Sequence, residues 1–208
     1  MKKALSLIII LCVVVSILTV PADAKSKSGA KTKTITMYLN GEIRGIQENC
    51  EVPYYSKWKA PKETVEGGYI EFTTSKDETV IGVVLDTDDA VEAEEANLLC
   101  KYLIKKKYKK QLFAYMCDRF PIDEKDAGKY FKLKKDGHGK YMLIIDMGDQ
   151  YQVFRVIDES HVFMFFTETD KGSVSASLKK KLASYIKQVK IETKAVGVNE
   201  SDYGLVNE

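Results

Sequence analysis

Asp158, Ser160 and His161 place the three residue types of a hydrolytic triad within four positions. A triad needs side chains that converge, usually from separate elements, whereas neighbours entering a strand point to opposite faces. Asp158-Glu159-Ser160 is also ordinary turn chemistry. We therefore read the trio as a polar turn and assign no catalytic residue there. The chain has only two histidines, so a thiol enzyme would have to pair Cys50, Cys100 or Cys117 with His138 or His161. A small extracellular enzyme using a Cys or His residue is the alternative reading of function.

Two further clusters carry possible chemistry. Asp86-Thr87-Asp88-Asp89 with Glu92 begins like a calcium loop, but the loop's sixth position holds no glycine, and Asn97 stands where it needs glutamate. Helix capping accounts for the same residues, with Asp89 and Glu92 as a capping box. Lys105, Lys106, Lys107, Tyr108, Lys109 and Lys110 form the densest charge run. Five cations around one aromatic ring suit an anionic polymer, and these six residues are the candidate binding site. At the basic exit of a helix they would also complement its dipole. No phosphate loop, dinucleotide fingerprint or metal-ligand spacing occurs, so no metal or cofactor is expected.

The start of the chain bounds where it works. Lys2 and Lys3, the apolar run Leu7 to Val15 and Ala22-Asp23-Ala24 read as a secretory signal peptide over residues 1–24, giving a mature start at Lys25. The rival is a retained anchor, since the apolar stretch extended to Val20 approaches the roughly 20 residues that span a bilayer. Cleavage would leave no transmembrane segment. The formal charge of +2 becomes still closer to neutral once two lysines and one aspartate are removed, and specific nucleic-acid binding is not expected. Three cysteines would remain, an odd number that cannot form a closed set of pairs.

These residues are positioned by one domain over residues 34–194, with a flexible basic leader at 25–33 and a disordered tail at 195–208. Thr34 to Leu39 and Glu42 to Ile46 flank Asn40-Gly41, a hairpin signal. In that register Leu39 would face Glu42 and Met37 would face Arg44, which calls for a bulge or an edge position. Lys62 to Gly67 reads as loop. Thr79 to Leu85 (TVIGVVL) is too apolar for a strand with one wet face, so it belongs inside a sheet covered on both sides. After the turn Asp86 to Asp88, a long helix supplies one cover. Gln111 to Met116 fits a short strand or a second helix, and Asp123 to Gly128 a loop.

Tyr130 to Lys134, Tyr141 to Asp146, Tyr151 to Ile157 and His161 to Thr167 read as an antiparallel meander. Leu178, Leu182, Tyr185, Ile186 and Val189 share one helical face and supply the second cover. The fold class is α+β: a central, mostly antiparallel sheet with helices on both faces, an α/β/α sandwich.

Val52, Pro53, Tyr54, Trp58 and Lys59, followed by Tyr69 to Phe72, resemble the opening of the PsbP-like fold, with Tyr55 where that family usually carries a second proline. The order of the later elements is similar too, so the resemblance spans roughly residues 42–192. It implies an α/β/α sandwich and an accessory, scaffolding or ligand-holding role, and it carries no catalytic set to transfer. Together these readings predict a secreted or surface-retained, non-enzymatic domain. Its partner would be an anionic cell-envelope polymer or a protein.

Overall fold

The computed structural model describes residues 32–39, 46–61, 65–88, 93–170 and 172–195. In chain order the strands are β1 Thr32–Tyr38, β2 Ile46–Tyr55, β3 Val65–Glu66, β4 Tyr69–Thr73, β5 Thr79–Asp86, β6 Phe131–Lys135, β7 Tyr141–Asp146, β8 Gln150–Val156, β9 His161–Glu168 and β10 Lys190–Ala195. The helices are α1 Ala93–Tyr102, α2 Lys109–Arg119, α3 Ala127–Tyr130 and α4 Ala176–Tyr185. The fold is α+β. The signal peptide, residues 25–31 of the leader, Asn40-Gly41, the Asp89 and Glu92 capping box and residues 196–208 lie outside the described residues. Among those described, no helix is long and apolar enough to cross a membrane.

Six strands in the order β4-β5-β9-β8-β7-β6, antiparallel throughout, form the central sheet. The doubly apolar runs occupy its interior, as their composition requires. One face of β5 and β9 presents Val80, Val84, Phe163 and Phe165 to one core, and the other presents Val83, Leu85, Val162 and Met164 to a second. The α1 residues Ala96, Leu99 and Cys100 and the α2 residues Leu112, Phe113, Met116 and Cys117 close the second core. On α4 and the turn after it, Leu178, Leu182, Tyr185, Ile186 and Val189 close the first. Ser175 starts α4 by accepting a hydrogen bond from the Leu178 amide at 3.2 Å.

The first core has a further cover that the sequence reading did not contain. A smaller sheet, ordered β10-β2-β1-β3, adds Met37, Cys50 and Val52 to it. Its register differs from the two-residue Asn-Gly hairpin, because Met37 pairs with Cys50 and Ile35 with Val52. Putting apolar residues opposite one another on the core face outweighs the local turn signal. Thr32 and Lys33, assigned to the leader, already belong to β1, and Ala195, assigned to the tail, ends β10. Val65 and Glu66, within the expected loop, pair in parallel with Met37 and Tyr38. Pro53 is tolerated inside β2 because its ring nitrogen faces the side on which β10 stops, at the Lys190–Glu51 pair.

Three other assignments resolve locally. Gln111 to Met116 is helical, within α2. The expected loop at Asp123 to Gly128 holds a 3-10 turn, Glu124–Asp126, capped by Asp123 through the Lys125 amide, and the start of α3. Gly82 on β5 serves packing: a Cβ there would lie 2.8 Å from Ile70 Cγ2 and 2.9 Å from the tip of the Phe163 ring. The missing side chain lets that ring cross over the strand.

Candidate functional site

The lysine run does not end α1. That helix stops at Tyr102 because Leu103 is buried and its carbonyl accepts a hydrogen bond from the Tyr141 amide at 2.9 Å, which ties the chain to β7. Lys106–Tyr108 then form a 3-10 turn, and Lys109 and Lys110 are the first two residues of α2. The cations therefore gather at the positive end of a helix, and the first turn of α2 contains no acidic residue. The complementarity to a helix exit expected from the sequence is reversed, leaving dipole and cations in mutual opposition.

All five lysines are exposed, and Tyr108 is half-buried. Among the described residues none of the five forms an ion pair, whereas Lys125, Lys129 and Lys179 each do, with Asp123, Asp126 and Asp146. Their nearest organised neighbours are aromatic. The Lys107 ammonium stands 4.9 Å from the centre of the Tyr108 ring, and that of Lys109 stands 5.0 Å from Phe113. Tyr108 packs in turn on Tyr102, ring centres 6.0 Å apart. Lys107, Lys109 and Lys110 flank a shallow groove of about 550 Å³, floored by Phe113 and Ala114, with Glu124 also on its wall. The arrangement offers several unpaired cations beside a small apolar floor.

Asp158 and His161 are brought together, contrary to the argument from alternating strand faces. The Asp158 side chain folds back from the turn, and its two oxygens lie 2.9 and 3.0 Å from His161 Nδ1. Ser160 contributes its amide to Asp158 at 2.9 Å. Beyond the ring, Nε2 faces Glu48 and Asp86 at 3.5 and 3.7 Å. His161 is thus a buried group ringed by carboxylates. Asp86, from the calcium-like stretch, accepts the Asp88 amide at 2.8 Å, an Asx turn.

His138 stands at the tip of the β6–β7 hairpin, a place where surface rings are ordinarily mobile. A ring nitrogen instead lies 3.2 Å from the Lys187 carbonyl. Beneath that hairpin is an ion pair that sequence reasoning missed. Arg155 Nε donates to Asp136 at 3.3 Å, with both side chains buried. An arginine inside the apolar strand YQVFRVI was the signal for it, since a buried guanidinium requires a partner.

Cys50, Cys100 and Cys117 are free and buried. Burial, with the charges of Asp158 and Glu51, pushes the Cys50 thiol from 9.0 up to about 12, and burial also raises Cys100. A nucleophilic thiol needs the opposite shift. At Cys50 the change corresponds to a roughly thousand-fold smaller thiolate fraction at neutral pH. A disulfide reagent at pH 8 is expected to leave Cys50, Cys100 and Cys117 unmodified in the folded protein and to modify them in denaturant. A fast reaction at one of these three in the folded chain would favour the enzyme alternative.

Compared with known proteins, the chain matches no family model and no curated protein.

Proposed function

We propose that this is an exported, non-enzymatic binding domain that works outside the membrane and holds an anionic envelope polymer through Lys105, Lys106, Lys107, Tyr108, Lys109 and Lys110. One observation carries the reading: five exposed lysines, without ion pairs among the described residues, are concentrated where the helix dipole opposes them. The helix dipole gives no stabilisation to cations at that end, so an external anion is the natural counter-charge. The apolar floor beside them adds contact for the backbone of a polymer. Export rests on the charged start, apolar run and A-x-A site. The PsbP-like resemblance supports the same accessory role.

The lysines act as an exposed field, so binding is expected to be salt-sensitive. Screening limits such fields to about 10 Å at 0.1 M salt, and retention on an anionic matrix should fall steeply as salt rises. Changing Lys105, Lys106, Lys109 and Lys110 together to Glu is expected to abolish retention on native envelope material without altering the circular dichroism spectrum. Equal binding by wild type and this quadruple variant would place the partner site elsewhere.

A further inference from the structure

One corner of the molecule, where the two sheets face each other, gathers three carboxylates around a single imidazole. His161 opens β9 and is only 5% exposed. Asp158 comes from the β8–β9 turn, Asp86 is the cross-strand partner of His161 on β5, and Glu48 comes from β2 of the smaller sheet. Among the described residues these three are the charged groups that face the ring.

The two ring nitrogens meet different surroundings. Nδ1 lies within hydrogen-bond distance of both Asp158 oxygens and must therefore carry a proton and donate it. Asp158 is itself fixed by the amides of Ser160 and His161, both at 2.9 Å. Nε2 is shut off from solvent and makes no hydrogen bond, yet it points between Glu48 Oε2 and Asp86 Oδ2 at 3.5 and 3.7 Å. In the neutral ring it would present a buried lone pair to two carboxylates. In the imidazolium it presents an N–H to them. The same geometry is repulsive in one protonation state and attractive in the other, and low solvent exposure strengthens both.

We propose that His161 is a proton-operated clasp between the two sheets. With the proton on, it ties Glu48 of the smaller sheet to Asp86 and Asp158 of the larger one. With the proton off, the corner loosens and releases the start of β2, together with the β10 residues paired to it, Thr193, Lys194 and Ala195. Burial alone would lower the affinity of the ring for its proton. The hydrogen bond and charge of Asp158, joined by the charges of Glu48 and Asp86, outweigh burial and hold the ring above the usual 6.5.

The sign of the linkage follows from that direction. A raised folded-state pKa contributes stability that is fully present below the ordinary histidine value and lost as pH rises through the folded value. Asp158 behaves oppositely: burial pushes its carboxyl up, but the His161 ring and the two amides hold it below the usual 3.8. Its contribution is present above that value and lost as pH falls through the folded one. The corner is tightest between the two titrations.

Thermal unfolding of wild type and His161→Gln, followed from about pH 5.5 to about pH 9, tests the clasp. Wild type is expected to be the more stable at the acid end, with the difference shrinking toward the alkaline end. Because the chain has two histidines, the His161 ring signal in proton NMR is assigned by its loss in that variant. Its midpoint should lie above 6.5 and drop in Glu48→Gln and in Asp86→Asn. Tryptic cleavage after Lys194, normalised to an unfolded control peptide, should accelerate with pH in wild type and be fast throughout in His161→Gln. Parallel stability curves, or a His161 midpoint at or below 6.5, would overturn the proposal. If His161→Gln does not fold, His138→Gln assigns the two ring signals instead, and the Glu48→Gln titration decides alone, because an unmoved midpoint there removes the link between sheets.

Discussion

Replacing Arg155 with alanine is expected to destabilise the domain by about 3–5 kcal/mol, the range for breaking a buried ion pair from one side. The guanidinium donates to Asp136 Oδ2 through Nε, and through Nη1 to the carbonyls of Ile186 and Val189 at 3.2 and 3.0 Å. Removing it leaves a buried carboxylate without its counter-charge and takes one donor from each of two carbonyls. Asp136 also accepts from the amides of His138 and Lys140 at 2.7 and 3.1 Å, so it cannot leave the site without unmaking the hairpin turn. Burial raises the Asp136 carboxyl, but the His138 amide, Arg155 and the Lys140 amide hold it below the usual range. Arg155→Met combined with Asp136→Asn, which keeps the turn acceptor and removes the charge, should lose less stability than Arg155→Met alone. Urea denaturation of the three variants measures this. A loss below about 1 kcal/mol for Arg155→Ala would mean that water replaces the guanidinium, and the pair is then not a brace.

Phe163→Ala is expected to cost a similar amount, about 3–5 kcal/mol, through the cavity it opens between the central sheet and its cover of α4 and the smaller sheet. Phe163 is fully buried, edge-on to Phe165 with ring centres 4.9 Å apart, and its ring crosses β5 at Gly82. The two positions are coupled. Gly82→Ala alone should cost about 1–3 kcal/mol by overpacking against Phe163 and Ile70, and markedly less in the Phe163→Ala background, where one of the two clashes has gone. A double-mutant cycle by chemical denaturation reads the difference. Additive effects would show that the added methyl group does not meet the Phe163 ring, and that the two positions are not coupled.

How much of this was legible in the sequence depends on the range of the interaction concerned. TVIGVVL, YMLII and VFMFF announced strands buried on both faces, because two cores need apolar residues at consecutive positions. Leu178 to Val189 announced its helix through spacing alone. β10 stayed hidden: KIETKA offers one large apolar side chain, Ile191, and becomes a strand only by pairing with β2. The Asn40-Gly41 register failed for a similar reason, since a strong local turn signal lost to the distant requirement that Met37 and Cys50 share a core face. At the candidate site the lysines were visible, but their relation to a helix end was inverted. The stop at Tyr102 depends on Leu103 reaching β7, some forty residues later. The contact between Asp158 and His161 is hidden from strand alternation, which constrains residues inside a strand but not a side chain folding back from the preceding turn.

The place of β10 at the outer edge of β2 has a consequence for how the chain acquires its shape. Strands β6 to β9 close through short turns and can assemble early, from neighbours in sequence. The smaller sheet joins residues 46–51 to residues 190–195, so its closure requires nearly the entire chain and the entropy loss of a very long loop. During synthesis the outer edge of β2 therefore waits, unpaired, until the last strand arrives. Polar Gln47, Glu48, Asn49 and Glu51 along that waiting edge are the kind of residues that discourage another chain from pairing there first.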